Sequence, residues 1–312
     1  MPGADDALLL RVAQLYYERG LTQAEIGARE HLTRWKVGRM LEDARRVGIV
    51  RISVVHPQAR RRPIEEEMRQ RYGIRECVVI PSVDPDGDML DAVATAASDL
   101  LQRLSGRIRT LGVSWGNTVD RISEVLPSGW NTGVEVIQIN GSVSRSITPT
   151  TAVNAVSGIA TKGAGRVTLL PVPAIVEHAQ TRLALESEGF VAETLQRAAS
   201  ADALLFSLGD LDDQSVLVQS GAVTTEELNR LRAVNACGDV LAHFLDTRSE
   251  IADQDLEGRV IGLSLDDLAS SPCSIGVATS HRKVDIIRAA LDRGILSVLV
   301  TDEDTARHVL EE

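Results

Sequence analysis

Several short stretches of this 312-residue chain set hydroxyl, amide or charged side chains beside glycine. Arg109-Thr-Leu-Gly-Val-Ser-Trp-Gly-Asn-Thr118 reads as a strand, a turn and the opening of a helix over 119–126. In the turn, Ser114 and Thr118 offer hydroxyls, Gly116 lets the backbone approach a ligand, and the helix amino end favours an anion. The same pattern is equally an ordinary strand-to-helix turn with a capping threonine. Ala278-Thr-Ser-His-Arg-Lys283 is a second such stretch. A lysine near a helix amino end opposes the dipole, so Lys283 needs an anionic ligand or a neighbouring carboxylate such as Asp285. It is one of only three lysines, with Lys36 and Lys162, in a chain that otherwise uses arginine. Ile137-Gln-Ile-Asn-Gly-Ser142, Ser207-Leu-Gly-Asp210 and Cys237-Gly-Asp239, the last placed beside Asp246, add amides and carboxylates at further strand ends.

Other chemistry is missing. A Walker loop and a Gly-x-Gly-x-x-Gly fingerprint are both absent, so no nucleotide cofactor is expected. Cys77, Cys237 and Cys273 are odd in number and widely spaced, which fits buried reduced thiols and neither a disulfide nor a metal site. Proton transfer needs a positioned base. Asp239 is the sole candidate, and one Asp is commonly a sugar-hydroxyl acceptor; His281 is as readily a surface residue. No catalytic residue is assigned, and the chain reads as a non-enzyme.

The elements that would position these groups begin with a small basic head. Residues 1–62 hold 12 Lys+Arg against 7 Asp+Glu, leaving 21 of the 33 basic and 37 of the 44 acidic residues to the remainder. A basic head on an acidic body is the asymmetry of a chain that touches a polyanion at one end. Asp6 is read as capping a first helix that Gly20 stops. Thr22-Gln-Ala-Glu25 is a capping box opening a short second helix, and Thr33 caps a third with Val37, Met40, Leu41 and Ala44 inward. Trp35, Lys36, Arg39 and Arg46 then point outward, with Arg34 at the margin. Cations for phosphates and guanine edges, with a ring for a thymine methyl, suit a major groove; a solvated basic face is the plainer alternative. Gln23, Thr33, Arg34, Trp35, Lys36 and Arg39 form the expected DNA-contacting set. Ile49–Val55 alternates as a strand, completing a winged helix-turn-helix over residues 1–55.

Residues 56–63 are proline-bounded, polar and basic and read as a linker whose arginines could graze a DNA backbone. From residue 64 helical stretches alternate with short apolar strands: 76–80, 110–114, 134–139, 167–170, 203–208, 260–263, 275–278 and 297–301. Runs apolar on both faces argue for a parallel sheet covered on both sides, a doubly wound, Rossmann-like α/β domain over 64–312. Ligands then bind beyond the carboxyl ends of the strands. No apolar run reaches the ~18 residues of a spanning helix, and no basic segment precedes Leu8-Leu9-Leu10, so a cytoplasmic location away from membranes is expected.

Arg11-Val-Ala-Gln-Leu-Tyr-Tyr-Glu-Arg-Gly-Leu-Thr-Gln-Ala-Glu-Ile26 and 39–52 resemble the opening of the SorC family of bacterial sugar-responsive transcriptional regulators. So do Ser114–Thr118, Gln138–Gly141, Leu170-Pro-Val-Pro-Ala174, Gly238-Asp239 with Phe244-Leu-Asp246, Lys283 and Leu299–Ala306, in order along the body. The resemblance implies an effector domain similar to sugar-phosphate isomerases, binding a phosphorylated sugar and assembling as a homodimer or homotetramer, with operator DNA as partner. Carried over, Ser114, Gly116, Asn117 and Thr118, flanking Trp115, would hold phosphate with Lys283, while Asn140, Gly141, Ser142 and Asp239 would meet the sugar. The chain departs from the pattern at Gly27 for Ala, His31 for Gly, Ser142 and Asn235 for Gly, and Thr279-Ser280 for a glycine pair. Added bulk at the ligand's edge would admit an unphosphorylated sugar or polyol as the alternative effector. An isomerase or deaminase with a DNA-contacting appendage is the enzymatic alternative.

Overall fold

The computed structural model describes residues 4–17, 19–47, 49–50, 60–82, 88–143 and 151–311. The chain divides into two compact units, residues 1–54 and 55–312. In the first, α1 (Ala4–Tyr17), α2 (Gln23–Arg29) and α3 (Arg34–Arg46) enclose Val12, Leu15, Ile26, Val37 and Leu41, with Met40 packed alongside. α1 starts at Ala4, so Asp6 lies in its first turn and is not its cap. The capping box does form, with Thr22 and Glu25 exchanging side-chain and backbone bonds, and Thr33 accepts from the Lys36 amide at 3.2 Å. Residues 51–55 of the expected wing strand and 56–59 of the expected linker lie outside the described residues.

The departures at Gly27 and His31 explain one another. His31 takes φ +54°, the left-handed conformation that a β-carbon penalises. The turn it makes brings the Leu32 carbonyl against α2, where a β-carbon on residue 27 would meet that oxygen at 2.6 Å. Gly27 is therefore required by the turn, whatever it costs in helix propensity.

The second unit is built on a parallel sheet in the order β1-β9-β8-β5-β2-β3-β4. Its strands are β1 (Glu76–Ile80), β2 (Thr110–Val113), β3 (Glu135–Gln138), β4 (Arg166–Thr168), β5 (Ala203–Gly209), β8 (Ser274–Val277) and β9 (Val298–Asp302); β6 (Ala236–Val240) and β7 (His243–Asp246) form a hairpin antiparallel to the end of β5. Alternate residues feed two cores. Val78, Ile80, Leu111, Val113, Leu205 and Val300 face one, with α5 (Met89–Leu104) and α6 (Asn117–Val125). Cys77, Val79, Leu204, Phe206 and Leu299 face the other, with α4 (Arg62–Tyr72) and the helices Val284–Asp292 and Glu303–Leu310. That two-sided burial is why these strands read as continuous apolar runs. The doubly wound α/β architecture is as the strand pattern indicates.

Three details differ from the sequence reading. The stretch 260–263 is no strand; Val260 and Gly262 make only isolated bridges, to Ile175 and Asn140. The β6–β7 hairpin carries no sequence signal, because its turn is Leu241-Ala242, both at positive φ (+55° and +73°) where Asn-Gly would be usual. The stretch 56–63 does not end as free linker either. α4 begins at Arg62; Arg60 binds Glu65 and Glu76, and Arg61 pairs with Glu303, so both arginines are held within the body.

Candidate functional site

From β2 the sheet grows outward through β3 and β4, and from β5 it grows the other way through β8 and β9. The switch point lies between β2 and β5, and a crevice beyond the carboxyl ends there is where such sheets take ligands. The loops singled out in the sequence converge on it. Ser114 follows β2 and its amide donates to the Leu205 carbonyl of β5 at 3.0 Å. Gly116 has φ +135° and caps α6; a β-carbon there would stand 3.0 Å from the Ser207 hydroxyl. Asn117 is exposed at the first position of α6, and Thr118 is buried at the second. Trp115 is buried, and its indole N–H donates to the Gly141 carbonyl at 2.7 Å, tying the β2 loop to the β3 loop.

After β3, Gly141 packs on the Pro173 backbone and Ser142 donates its amide to Val172. The Ser142 hydroxyl accepts from Gln138 at 3.0 Å, a bond that fixes the loop from within. Asn140 is buried, and its side-chain carbonyl has no hydrogen-bond donor among the described residues. A buried acceptor left bare costs on the order of 1–3 kcal/mol.

On the other side of β5, Asp239 lies against Gly209 and accepts from the Ala242 amide at 2.9 Å. Burial pushes its carboxyl up to about 6, against the pull of that amide and of the Lys283 and His243 charges. Lys283 is also largely desolvated, which lowers its pKa, while Asp210 and Asp239 work to raise it. No hydrogen bond or ion pair within 4 Å reaches the Lys283 ammonium among the described residues, and Asp285 is paired with Arg288. Its neighbour Arg282 bridges Asp210 and Asp212 of the β5 loop. Beneath the lysine, Asp302 accepts from Thr279 and Thr305 at 2.5 Å each, and the Thr305 hydroxyl accepts from the Ser280 amide at 3.1 Å. This brace holds Ser280 at φ +121°, where glycine would be easier.

Two readings are corrected. Asp246 does not stand with Asp239: its carboxylate accepts from the Arg248 and Glu250 amides and pairs with Arg248. Cys237 is half-buried, whereas Cys77 and Cys273 are buried. His281 is exposed, its ring edge-on to His308 at 4.6 Å. Gln138, Asp210, Asp302 and Thr305 fall in stretches that the sequence singles out, but without the roles they take here; their bonds across the loops join residues that no local spacing relates.

On α3, Trp35 is 72 % exposed and Arg39 stacks over it at 5.6 Å. Arg34, Lys36 and Arg39 are exposed, and none has a carboxylate within 4 Å among the described residues; Arg46 pairs with Asp43. Gln23 is half-buried, its amide against Gly38 of α3, so it braces the two helices.

Comparison with known proteins places the chain in a family. The family model of a sugar-binding domain matches residues 56–311. Transcriptional regulator LsrR of Enterobacter sp. (strain 638) is 30% identical over 312 residues, covering 98% of this chain and 93% of that protein. The deoxyribonucleoside regulator of Bacillus subtilis (strain 168) is 28% identical over 306 residues, covering 98% and 97%. The full-length sorbitol operon regulator SorC from Klebsiella pneumoniae has a TM-score of 0.72 at 26% identity, covering 99% of this chain and 100% of that one. The chain belongs to the SorC family. It is a transcriptional regulator with a sugar-binding domain and not an enzyme, so its partners are DNA and a sugar effector. No helix among the described residues is long and apolar enough to cross a membrane.

Proposed function

We propose that this regulator senses a small phosphorylated sugar at the β2–β5 switch point and controls a carbohydrate-utilisation operon. The observation that carries the reading is Lys283, a half-buried, desolvated ammonium at the carboxyl edge of the sheet with no hydrogen bond or ion pair within 4 Å among the described residues. A phosphate there satisfies the lysine, while the amino end of α6 with Ser114, Gly116, Asn117 and Thr118 supplies further donors. Asn140 and Asp239 take sugar hydroxyls from either flank, and Gly141 and Ser142 shape the wall between them. The hydroxyls that replace family glycines do not crowd the ligand: Thr279 is turned to Asp302 and Ser142 to Gln138. Two acids beside Lys283, Asp210 and Asp239, favour the second reading, a neutral sugar or polyol bound through carboxylates.

α2 and α3 act as a helix-turn-helix, with Arg34, Trp35, Lys36 and Arg39 entering the major groove and Gln23 and Thr33 at its edge. One such helix reads few bases, so the cytoplasmic regulator works as a homodimer or homotetramer whose spacing the sugar shifts. The test is thermal unfolding of the full chain with phosphorylated sugars and their unphosphorylated counterparts. A ligand at a hundredfold excess over its Kd stabilises by ~2.7 kcal/mol. A phosphorylated hit that Lys283→Gln abolishes supports the reading; hits confined to neutral sugars overturn the phosphate part of it.

A further inference from the structure

A second concentration of unbalanced positive charge lies at the opposite edge of the sheet. A cleft of about 710 Å³ opens where the strands begin, lined by Arg60, Arg62, Arg69, Arg75, Arg103 and Arg107. Its acids are Glu65, Glu66, Glu76 and Asp202. Every one of them is already engaged. Arg60 binds Glu65, Arg60 and Arg103 share Glu76, and Arg69 takes Glu66. Asp202 accepts from the Arg109 and Thr110 amides and the Thr110 hydroxyl.

Three arginines are left over. Among the described residues the Arg75 guanidinium donates only to neutral acceptors, the Pro272 carbonyl at 3.0 Å and the Cys273 sulfur at 2.6 Å. Arg62 and Arg107 make no hydrogen bond or ion pair among the described residues. Beyond residue 62 the chain carries 37 acidic against 21 basic residues, so unpaired cations gathered on one cavity run against the charge of their own unit. The strand polarity separates this place from the sugar site. Arg75 and Glu76 enter β1, Arg107 and Ile108 lead into β2, Ala203 opens β5 and Cys273 leads into β8, whereas Ser114 and Lys283 follow the far ends of β2 and β8.

We infer that the amino-edge cleft is a second binding site, for a small ligand carrying at least two phosphate-type anionic groups. A cavity of several hundred Å³ is of the size that encloses such a metabolite. Guanidinium forks with no carboxylate to hold them offer paired N–H donors that match phosphate oxygens. The ligand adds negative charge where the fold has left positive charge unbalanced, and it does so without touching Lys283.

Inorganic pyrophosphate is the probe, and the full chain carrying Lys283→Gln is the background, so that the switch-point site does not answer for the cleft. Pyrophosphate raises the Tm of this variant and titrates with a millimolar or tighter Kd. Adding Arg62→Gln and Arg107→Gln removes that response at least tenfold in Kd. Both side chains are exposed and make no hydrogen bond or ion pair among the described residues, so the substitutions leave the apo Tm in place. Two results overturn the inference: no pyrophosphate response in the Lys283→Gln chain, or a response indifferent to the arginines. A third also overturns it. If the double substitution flattens the salt dependence of duplex-DNA binding by about two phosphate contacts and pyrophosphate does nothing, the cleft follows the DNA backbone.

Discussion

Arginine is used in opposite ways in the two units. In the body most guanidiniums are spent on carboxylates: Arg121 on Asp91 and Glu124, Arg197 and Arg166 on Glu135, Arg259 on Glu227, Arg282 on Asp210 and Asp212. On the outer face of α3, Arg34, Lys36 and Arg39 meet no acid among the described residues, and the ring beside them is left in water. Exposed pairs stabilise little, so the body's pairing chiefly neutralises and orients. An unpaired cation in such a chain is therefore free to take an anion from outside. Among the described residues the head has unpaired cations across a whole helix face; the body has them at Lys283, in the amino-edge cleft and at the exposed Arg109.

The largest test of the contrast is Lys283→Gln. Truncating one partner of a buried charge contact typically costs 2–5 kcal/mol. A phosphorylated sugar that stabilises the wild-type chain is expected to bind this variant at least thirtyfold more weakly, read by calorimetry. DNA affinity without effector stays unchanged. Loss of DNA binding as well would mean that Lys283 supports the fold and not a ligand.

Arg39→Ala is the mirror image. A good arginine–guanine contact discriminates by about 1–3 kcal/mol. Affinity for the duplex selected by the wild-type chain is expected to fall by about tenfold or more, with the effector-induced rise in Tm intact. Arg46→Ala, whose guanidinium is already held by Asp43, should change affinity far less. Equal losses at the two positions would dissolve the distinction between paired and unpaired cations on α3.

How much of this was readable beforehand depended on what each residue touches. Cap and period are local, so Thr22 with Glu25, Thr33, and the inward face of Val37, Leu41 and Ala44 are visible in the chain itself. Strands buried on both faces are similarly plain. The β6–β7 hairpin is hidden because Leu241 and Ala242 hold positive φ through the bond from Ala242 to Asp239, a tertiary arrangement without a turn signature. For the same reason Asp246 looked like a partner of Asp239: spacing gives proximity along the chain, and pairing across a hairpin decides which carboxylate meets which amide. In the brace beneath Ser280, Thr305 and Asp302 are a local helix cap, but the bonds from Thr279 to Asp302 and from the Ser280 amide to Thr305 join residues over 20 positions apart, and no local pattern announces them.

Asp239 ties the charge contrast to pH. Its carboxyl is raised to about 6 from the ordinary 3.8, so the folded chain holds a proton that the unfolded chain releases. Stability from this group is present at low pH and lost as pH rises from about 4 through 6, since the unfolded state then binds fewer protons. Asp239→Asn should raise the Tm of the apo chain by a few degrees at pH 8 and leave it little changed at pH 4. Effector affinity should fall in both conditions. A variant less stable at pH 8 than the wild type would show that the ionised carboxylate is needed by Ala242 and Lys283 more than burial penalises it.

The smallest expected effect lies where the two family departures meet in the head. A non-glycine residue in the left-handed region costs roughly 1–2 kcal/mol, so His31→Gly alone should stabilise the chain by about 1 kcal/mol. Gly27→Ala alone should destabilise it, although alanine is the better helix former by ~1 kcal/mol, because the Leu32 carbonyl stands 2.6 Å from the new methyl. With glycine at 31 the turn is free to open, and the same alanine then costs less. Denaturant unfolding of the two single variants and the double variant gives the coupling directly. A positive coupling says that His31 and Gly27 compensate one another across the turn. Strict additivity would mean that the turn is set elsewhere, and that Gly27 answers to the Leu32 carbonyl alone.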